Sequence, residues 1–421
     1  MKKNEILACL KANKKISGYE VSIVNKDSRE LFYVLDHLEI NRAVKIENTA
    51  ITVYVSDKKT TGSSTITLTA ADDKDSLNKK LNSAISKAKT AKNEYYPLAP
   101  KTENIKEKIE IKKDLNEIAS NVAKAVFKAD TYKNGWINST EIFVSRFNEE
   151  FINSNGIDHV SEHFKVEVEC IPTWSNKKEE FELYKFHESN KADYNQITKE
   201  IDEILKMAKD RSQAVTLKDV KLPKDLKVLV KGEMVEDIVY NLAENLSYKN
   251  TYIKQNHYQI NDKVSDNPFD LTMKAVVSGC SASRRYDSNG VLLKPVKLIK
   301  GGVAKNTYGD IRFGYYLKEK KISGNLPVCE LKADGVDIGK EKHLLVEAFS
   351  SPQMEEDSGY WGGEIRLAKY FDGKKYIPLT GLSISGNIYE DIKKVEFSKE
   401  TTASKYYKGP KYMIFKGIEI S

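Results

Sequence analysis

Along the first 95 residues the hydrophobic positions follow two different periods. An opening helical spacing runs from Asn4 to Lys15, and apolar and polar residues then alternate through YEVSIV, ELFYVLD, AITVYVSD and STITLTA. Leu77, Leu81, Ile85 and Ala88 form a single stripe between Asp73 and Asn93. Period-two alternation predicts half-buried strands, and a 3.6-residue stripe predicts an amphipathic helix. The segment EYYPLAPKTE, with two prolines, interrupts both patterns and predicts a boundary.

A second unit repeats the plan. A helix is expected from Ile105 to Ala129, then strands in WINSTEIFVSRFNEEFINS, HFKVEVECIPTW and EEFELYKFHES, then a helix from Tyr194 to Ala214. After TLKDVKLPKDLKVLV comes a short helix from Glu233 to Leu246. Beyond about Ile253, brief alternating runs are separated by loops rich in Gly, Asn and Asp, the mark of many short antiparallel strands. The expected fold class is therefore α+β: an N-terminal α/β region of mixed sheets and helices, then a β-rich, barrel-like domain of antiparallel strands. The expected division is an N-terminal α+β domain over 1–98, a central α+β domain over 99–222 and the β-rich domain over 223–421.

Composition narrows the classes. At 421 residues, 40% hydrophobic and 31% charged, the chain has the makeup of a soluble globular protein with two or three cores. No apolar run reaches the length of a membrane span, and MKKNEILACLKANKK places charges where a signal peptide needs its apolar centre. A cytoplasmic chain without a membrane partner is the expectation. The net charge of +7 invites a nucleic-acid reading, but arginine is scarce and the lysines alternate with acids, as in KTENIKEKIEIKKDLNEIA. That pattern describes solvated helix faces better than a phosphate-tracking stripe. The four cysteines (Cys9, Cys170, Cys280 and Cys329) form no Cys-x-x-Cys pair, which argues against a zinc ribbon or redox motif.

The one metal-like string is His159-Val-Ser-Glu162-His163. On a helix, H-x-x-E-H sets two imidazoles on one face with a glutamate as general base. Here it runs directly into the alternating FKVEVEC, and on a strand residues i and i+4 lie roughly 13 Å apart, too far to share one zinc. His187-Glu188 lacks a second histidine at the right spacing, and His257 and His343 stand alone. No nucleophile elbow, Walker loop or dinucleotide fingerprint occurs. Arg284-Arg285, between VVSGCSAS and GVLLKPV, form a paired cation suited to a carboxylate.

The order FDLTMKAVVSG, YDSNGVLLKPVKLIKGGV, SGNLPV and IPLTGLSISGNIYEDIKKV resembles the TldD/PmbA (PmbA/TldE) family. SAISKAKTAKNEYYPLAP, EEFINSNGI and KVLVKGEMVEDIVYNLAENL are similar to its upstream parts. The resemblance implies that the helix Glu233–Leu246 corresponds to one that carries H-E-x-x-x-H in the catalytic member, with a cysteine near its C-terminus as a further ligand. Tyr240, Asn241 and Asn245 stand at the His, Glu and His positions, and the tail TTASKYYKGPKYMIFKGIEIS has no cysteine.

What the resemblance implies is a PmbA/TldE-type, non-catalytic subunit with no catalytic residue, metal ligand or cofactor of its own. Zinc is expected in a TldD-like metallopeptidase partner that degrades unfolded or small peptides. This chain would help to enclose the cavity and hold extended peptide, with Arg284 and Arg285 as the candidate contacts. A homodimer in isolation is a further assembly. Two rival readings remain: a stand-alone zinc hydrolase using His159, Glu162 and His163, and a DNA-associated modulator of the gyrase-modulator type.

Overall fold

The structure is a computed structural model that describes residues 2–111 and 113–421. Its first half is built on one nine-stranded sheet. The strands are β1 (Gly18–Val34), β2 (His37–Ser56), β3 (Thr60–Leu68), β4 (Asn93–Glu94), β5 (Lys106–Glu107), β6 (Gly135–Asn153), β7 (Asp158–Ser175), β8 (Glu180–Glu182) and β9 (Lys185–Ser189). Their order is β4-β3-β2-β1-β6-β7-β5, with β8 and β9 also pairing with β7. Antiparallel β1–β6 pairing carries the sheet across residue 98, the expected boundary. Two cores form on this sheet, and each draws on both sides of that boundary: Leu31 joins one and Ile152 the other.

On one side α1 (Lys3–Ala12) and α2 (Lys74–Thr90) cover Tyr19, Val21, Ile51 and Val53 through Ile6, Leu10, Leu77, Leu81 and Ile85. On the other, α3 (Leu115–Phe127) and α4 (Tyr194–Ser212) bury Ile118, Val122, Val126, Ile197 and Ile201 against Ile142, Val144, Val166 and Val168. Each helix presents an apolar stripe to every second residue of the strands it covers, so helix and sheet periods agree.

Two expectations change here. The helix read from Ile105 begins only at Leu115, where the Asp114 side chain accepts the Asn116 N–H as an N-cap. Residues 105–107 run extended instead and pair with β7. The two short strands expected in YEVSIV and ELFYVLD are one continuous strand, because β2 and β6 pair with its polar centre on both sides.

The second half holds an eight-stranded and a six-stranded sheet, and the sheets of the protein include a curled half-barrel. β10 (Lys227–Lys231) lies inside the eight-stranded sheet between Tyr412–Phe415 and His343–Met354, parallel to the latter. α5 (Glu233–Glu244) follows it and packs on β10 and on strands His343–Met354 and Val328–Ala333. Its Met234, Val235, Ile238, Val239 and Leu242 sit in the largest core, with Phe269, Leu271, Trp361 and Phe415. The region is not purely strand: helices Tyr248–Ile253, Ile311–Tyr316 and Ile388–Asp391 interrupt it. Among the described residues no helix is long and apolar enough to cross a membrane. Cys9, Cys170, Cys280 and Cys329 are free thiols, and all but Cys9 are buried.

Candidate functional site

Two places bear on function: the α5 positions singled out by resemblance, and a cleft between the halves of the molecule. Along α5, Tyr240 is 41% exposed and its ring lies 5.8 Å from that of Tyr406. Asn241 and Asn245 point the other way, into the core, and are 2% and 3% exposed. Five helical steps separate Tyr240 from Asn245, a rotation of about 140°.

Asn245 is a hub. Its Nδ2 donates to the Asn241 carbonyl at 3.1 Å and to the Tyr389 hydroxyl at 3.1 Å, and its Oδ1 accepts the His257 N–H at 2.7 Å. The Tyr389 ring in turn stacks on His257 at 3.9 Å, and its hydroxyl donates to the Glu356 carbonyl. Asn241 Oδ1 accepts only a 3.3 Å bond from Asn245 Nδ2, and Asn241's own buried Nδ2 has no partner among the described residues. Two amides, one of them tied into a buried network, and a phenol turned away from them do not fit a zinc ion, which takes imidazole, thiolate or carboxylate donors that converge. Among the described residues no group of three or more His, Cys, Asp or Glu side chains is placed to hold a metal. On Tyr240's side of α5, burial raises the Glu236 carboxyl to about 7 against a Ser404 hydrogen bond. Burial, with Glu233 beside it, raises Asp237 to about 6.

The H-x-x-E-H string lies wholly on β7, and each side chain is occupied locally. His159 Nδ1 accepts the Ile105 N–H at 3.1 Å, so Nε2 carries the proton and donates to the Gly290 carbonyl, also at 3.1 Å. Burial holds this imidazole below its usual pKa. The contact depends on glycine: Gly290 has φ +79°, and a Cβ there would meet the Phe151 ring at 2.3 Å. Glu162 accepts from Arg146 at 2.7 Å and from the Ile109 N–H at 3.2 Å. Burial pushes its pKa up, but these bonds win and hold it low. His163 stacks on Phe147 at 4.6 Å; burial lowers its pKa, Glu149 opposes that and Arg284 adds to it. The string is a strand that fastens the sheet to the β-rich half.

The cleft has a volume of about 690 Å³ and is lined from four segments: residues 107, 109–111 and 113, residues 161–164, residues 190–192 and 194, and residues 276, 278, 281 and 283–285. Its apolar wall includes Ile109, Ile111, Ile118, Phe164 and Val276. Both arginines read from the sequence reach it, with different fates. Arg285 makes a two-pronged ion pair with Glu107, at 2.9 Å for each bond. Arg284 makes no ion pair among the described residues; its Nε donates weakly to the Ala282 carbonyl at 3.3 Å.

The floor is an open strand edge. β5 pairs with β7 at Val160 and Ser161, and β9 pairs from Val166 to Cys170, leaving residues 162–165 between them. Val160 donates outward to Ile105. Alternation along the ladder therefore turns the Phe164 N–H and C=O outward as well, without a backbone partner among the described residues. Resemblance and charge pointed to the arginines; nothing local in the sequence marks the β7 gap, because it depends on where β5 stops and β9 starts.

The β-rich half is thus the C-terminal domain of a metallopeptidase-type scaffold: residues 223–421 match the family described as PmbA/TldA metallopeptidase C-terminal domain. The C-terminal domain, residues 223–421, belongs to that family. The fold of the whole chain extends to solved structures over all of its length. It is similar to TldE from Thermococcus kodakarensis, with 15% identity, TM-score 0.79, and 100% of this chain and 99% of that chain covered. A protein described as a candidate modulator of DNA gyrase from Thermotoga maritima gives 12% identity and TM-score 0.78, with 100% and 99% covered. Another so described, from Bacteroides thetaiotaomicron, gives 15% and 0.78, with 100% and 97% covered. No curated protein matches the chain by sequence.

Proposed function

We propose that the chain is a non-catalytic PmbA/TldE-like subunit that pairs with a TldD-type zinc metallopeptidase in the breakdown of unfolded or small peptides. The observation that carries this reading is on α5. A family scaffold is kept, while the three positions of the expected metal string hold a half-exposed phenol and two buried amides, of which Asn245 is locked into a hydrogen-bond network. With no imidazole or carboxylate at these three positions, α5 holds no Lewis acid there and no base beside one to activate water, so zinc belongs to the partner.

The cleft supplies the second part of the role. A peptide in extended form adds to the free edge at Phe164, and backbone hydrogen bonds of that kind tolerate many sequences. Apolar side chains rest on Ile109, Ile111 and Val276, and a carboxylate of the peptide meets the unpaired Arg284 guanidinium.

The test is reconstitution with the TldD-type chain of the same genome. The two should co-elute as a complex that contains zinc and cleaves unstructured peptides, while this chain alone holds no stoichiometric zinc and cleaves none. Tight zinc in the isolated chain that disappears on His159→Ala with His163→Ala would establish the stand-alone hydrolase instead.

A further inference from the structure

A set of tyrosines stands on the surface where the β3–β4 pair meets the helices Tyr248–Ile253 and Ile311–Tyr316. The Tyr95 ring lies 6.1 Å from that of Tyr315, Tyr315 lies 6.4 Å from Tyr316, and Tyr316 lies 5.1 Å from Tyr252. Tyr315 is 43% exposed, Tyr252 39% and the neighbouring Ile253 42%, and none of these side chains joins a core of the protein. The rings are nevertheless held in place. Arg312 lies 5.7, 5.3 and 5.7 Å over the rings of Tyr96, Phe313 and Tyr316, and its Nη2 donates to Asn93 Oδ1 at 3.0 Å. The Tyr316 hydroxyl donates to the Glu94 carbonyl at 2.5 Å and the Tyr252 hydroxyl to the Glu94 carboxylate at 3.1 Å. Around them the charge has one dominant sign. Within 57–59, 92–95, 249–254 and 310–321, eight exposed lysines stand against four acids, and none of the eight makes an ion pair among the described residues.

We infer that this surface docks an amphipathic helix of another protein, with an apolar stripe flanked by carboxylates. Aromatic rings and an arginine inside a charged rim are the makeup of a protein-binding surface, and a rim of one sign selects a partner of the other. Ring-to-ring steps of 5.1, 6.1 and 6.4 Å match the ~6 Å between residues i and i+4 along one side of a helix. The apolar stripe therefore rests on successive rings and on Ile253, while its carboxylates meet lysines such as Lys59, Lys254 and Lys318. Single-stranded nucleic acid, the other polyanion suited to tyrosine with lysine, needs open ring faces on which bases stack. Here the rings meet at steep angles, 84° for Tyr95 with Tyr315, 64° for Tyr315 with Tyr316 and 88° for Phe313 with Tyr316. Arg312 takes further faces, so the surface offers edges and hydroxyls rather than a stacking platform. The inference does not rest on the TldD-type partnership, since α5 and the cleft contribute none of these residues.

The test is fluorescence anisotropy of the full chain with labelled helical peptides that share one stripe of leucine and phenylalanine. One peptide carries glutamate on its polar face and the other lysine. The acidic helix should bind, less tightly as salt rises, and the basic helix should not. Tyr252→Ala with Tyr315→Ala should weaken the acidic helix about tenfold or more, and so should Lys318→Glu with Lys320→Glu. Tyr252→Phe with Tyr315→Phe keeps the rings and should bind as wild type does. All these side chains are exposed, so the variants should stay close to the wild-type unfolding midpoint. Equal binding of the basic helix overturns the inference, as does an acidic helix indifferent to the tyrosine and lysine variants. An oligothymidylate that binds more tightly than the acidic helix and is lost with the same variants overturns it in favour of nucleic acid. An acidic helix that responds to Arg284→Glu instead sits in the cleft, which overturns it too.

Discussion

Replacing Asn245 by alanine separates a structural α5 from a vestigial metal site. Three hydrogen bonds end at this side chain: two donated to the Asn241 carbonyl and the Tyr389 hydroxyl, and one accepted from the His257 N–H. The Tyr389 hydroxyl keeps its bond to the Glu356 carbonyl, and the Asn241 carbonyl accepts the Asn245 N–H, so these two partners lose little. The His257 N–H, half-buried on an exposed residue, loses its acceptor and is left to water. A lost hydrogen bond of that kind costs about 1 kcal/mol, and the lost packing of a 3%-exposed side chain adds about 1 kcal/mol. The sum is on the order of 2 kcal/mol, enough to move a urea midpoint by roughly 0.5–1 M at ordinary m-values. Tyr240→Ala, at a 41%-exposed side chain with no hydrogen bond to lose among the described residues, should cost about 1 kcal/mol or less. The assay is equilibrium urea unfolding of both variants followed by tryptophan fluorescence. An Asn245→Ala variant within about 0.5 kcal/mol of wild type, or a larger loss for Tyr240→Ala, would refute the reasoning.

Other consequences can be checked with similar means. Glu20 is buried, accepts the Tyr54 hydroxyl at 2.8 Å and has its pKa raised by burial to about 7. The native state therefore holds the proton more tightly than the unfolded chain, and the stability this lends is complete below about 4.5 and lost as pH rises through about 7. Glu20→Gln should flatten that fall, with a gain over wild type on the order of 2–3 kcal/mol at pH 8 and much less at pH 4, read from urea midpoints. Arg284→Glu should weaken binding of an acidic unstructured peptide about tenfold or more in fluorescence anisotropy, while Arg285→Ala, whose guanidinium is spent on Glu107, should weaken it much less. Gly290→Ala forces a Cβ into the Phe151 ring at a left-handed residue and should lower the melting temperature clearly, by about 2 kcal/mol of stability or more.

The fold class was legible because helix and strand periods stay clean where one face is buried. The stripe Leu77, Leu81, Ile85 and Ala88 became α2, and FKVEVEC became part of β7 with Val166, Val168 and Cys170 inside. Errors fell where charge imitates a helix. In IKEKIEI the acids and lysines suit i,i+4 pairing, yet the isoleucines alternate on an extended segment, and the true helix starts at the capping Asp114. Within β1, Asn25–Arg29 has no apolar signal at all; the ladder partners on both sides keep it a strand. The arginines were legible as a cation pair, but only the structure separates Arg285, held by Glu107, from Arg284. The cleft itself joins four separate segments of the chain, and its open edge is a property of pairing, which no single segment encodes.

The central claim is that this chain serves a zinc peptidase without being one. Its most direct test is metal and peptidase analysis of the chain alone and in complex with the TldD-type chain of the same genome. The account predicts no stoichiometric zinc and no cleavage alone, and zinc with cleavage of unstructured peptides in the complex. Stoichiometric zinc and cleavage by the isolated chain, both abolished by His159→Ala with His163→Ala, would contradict it.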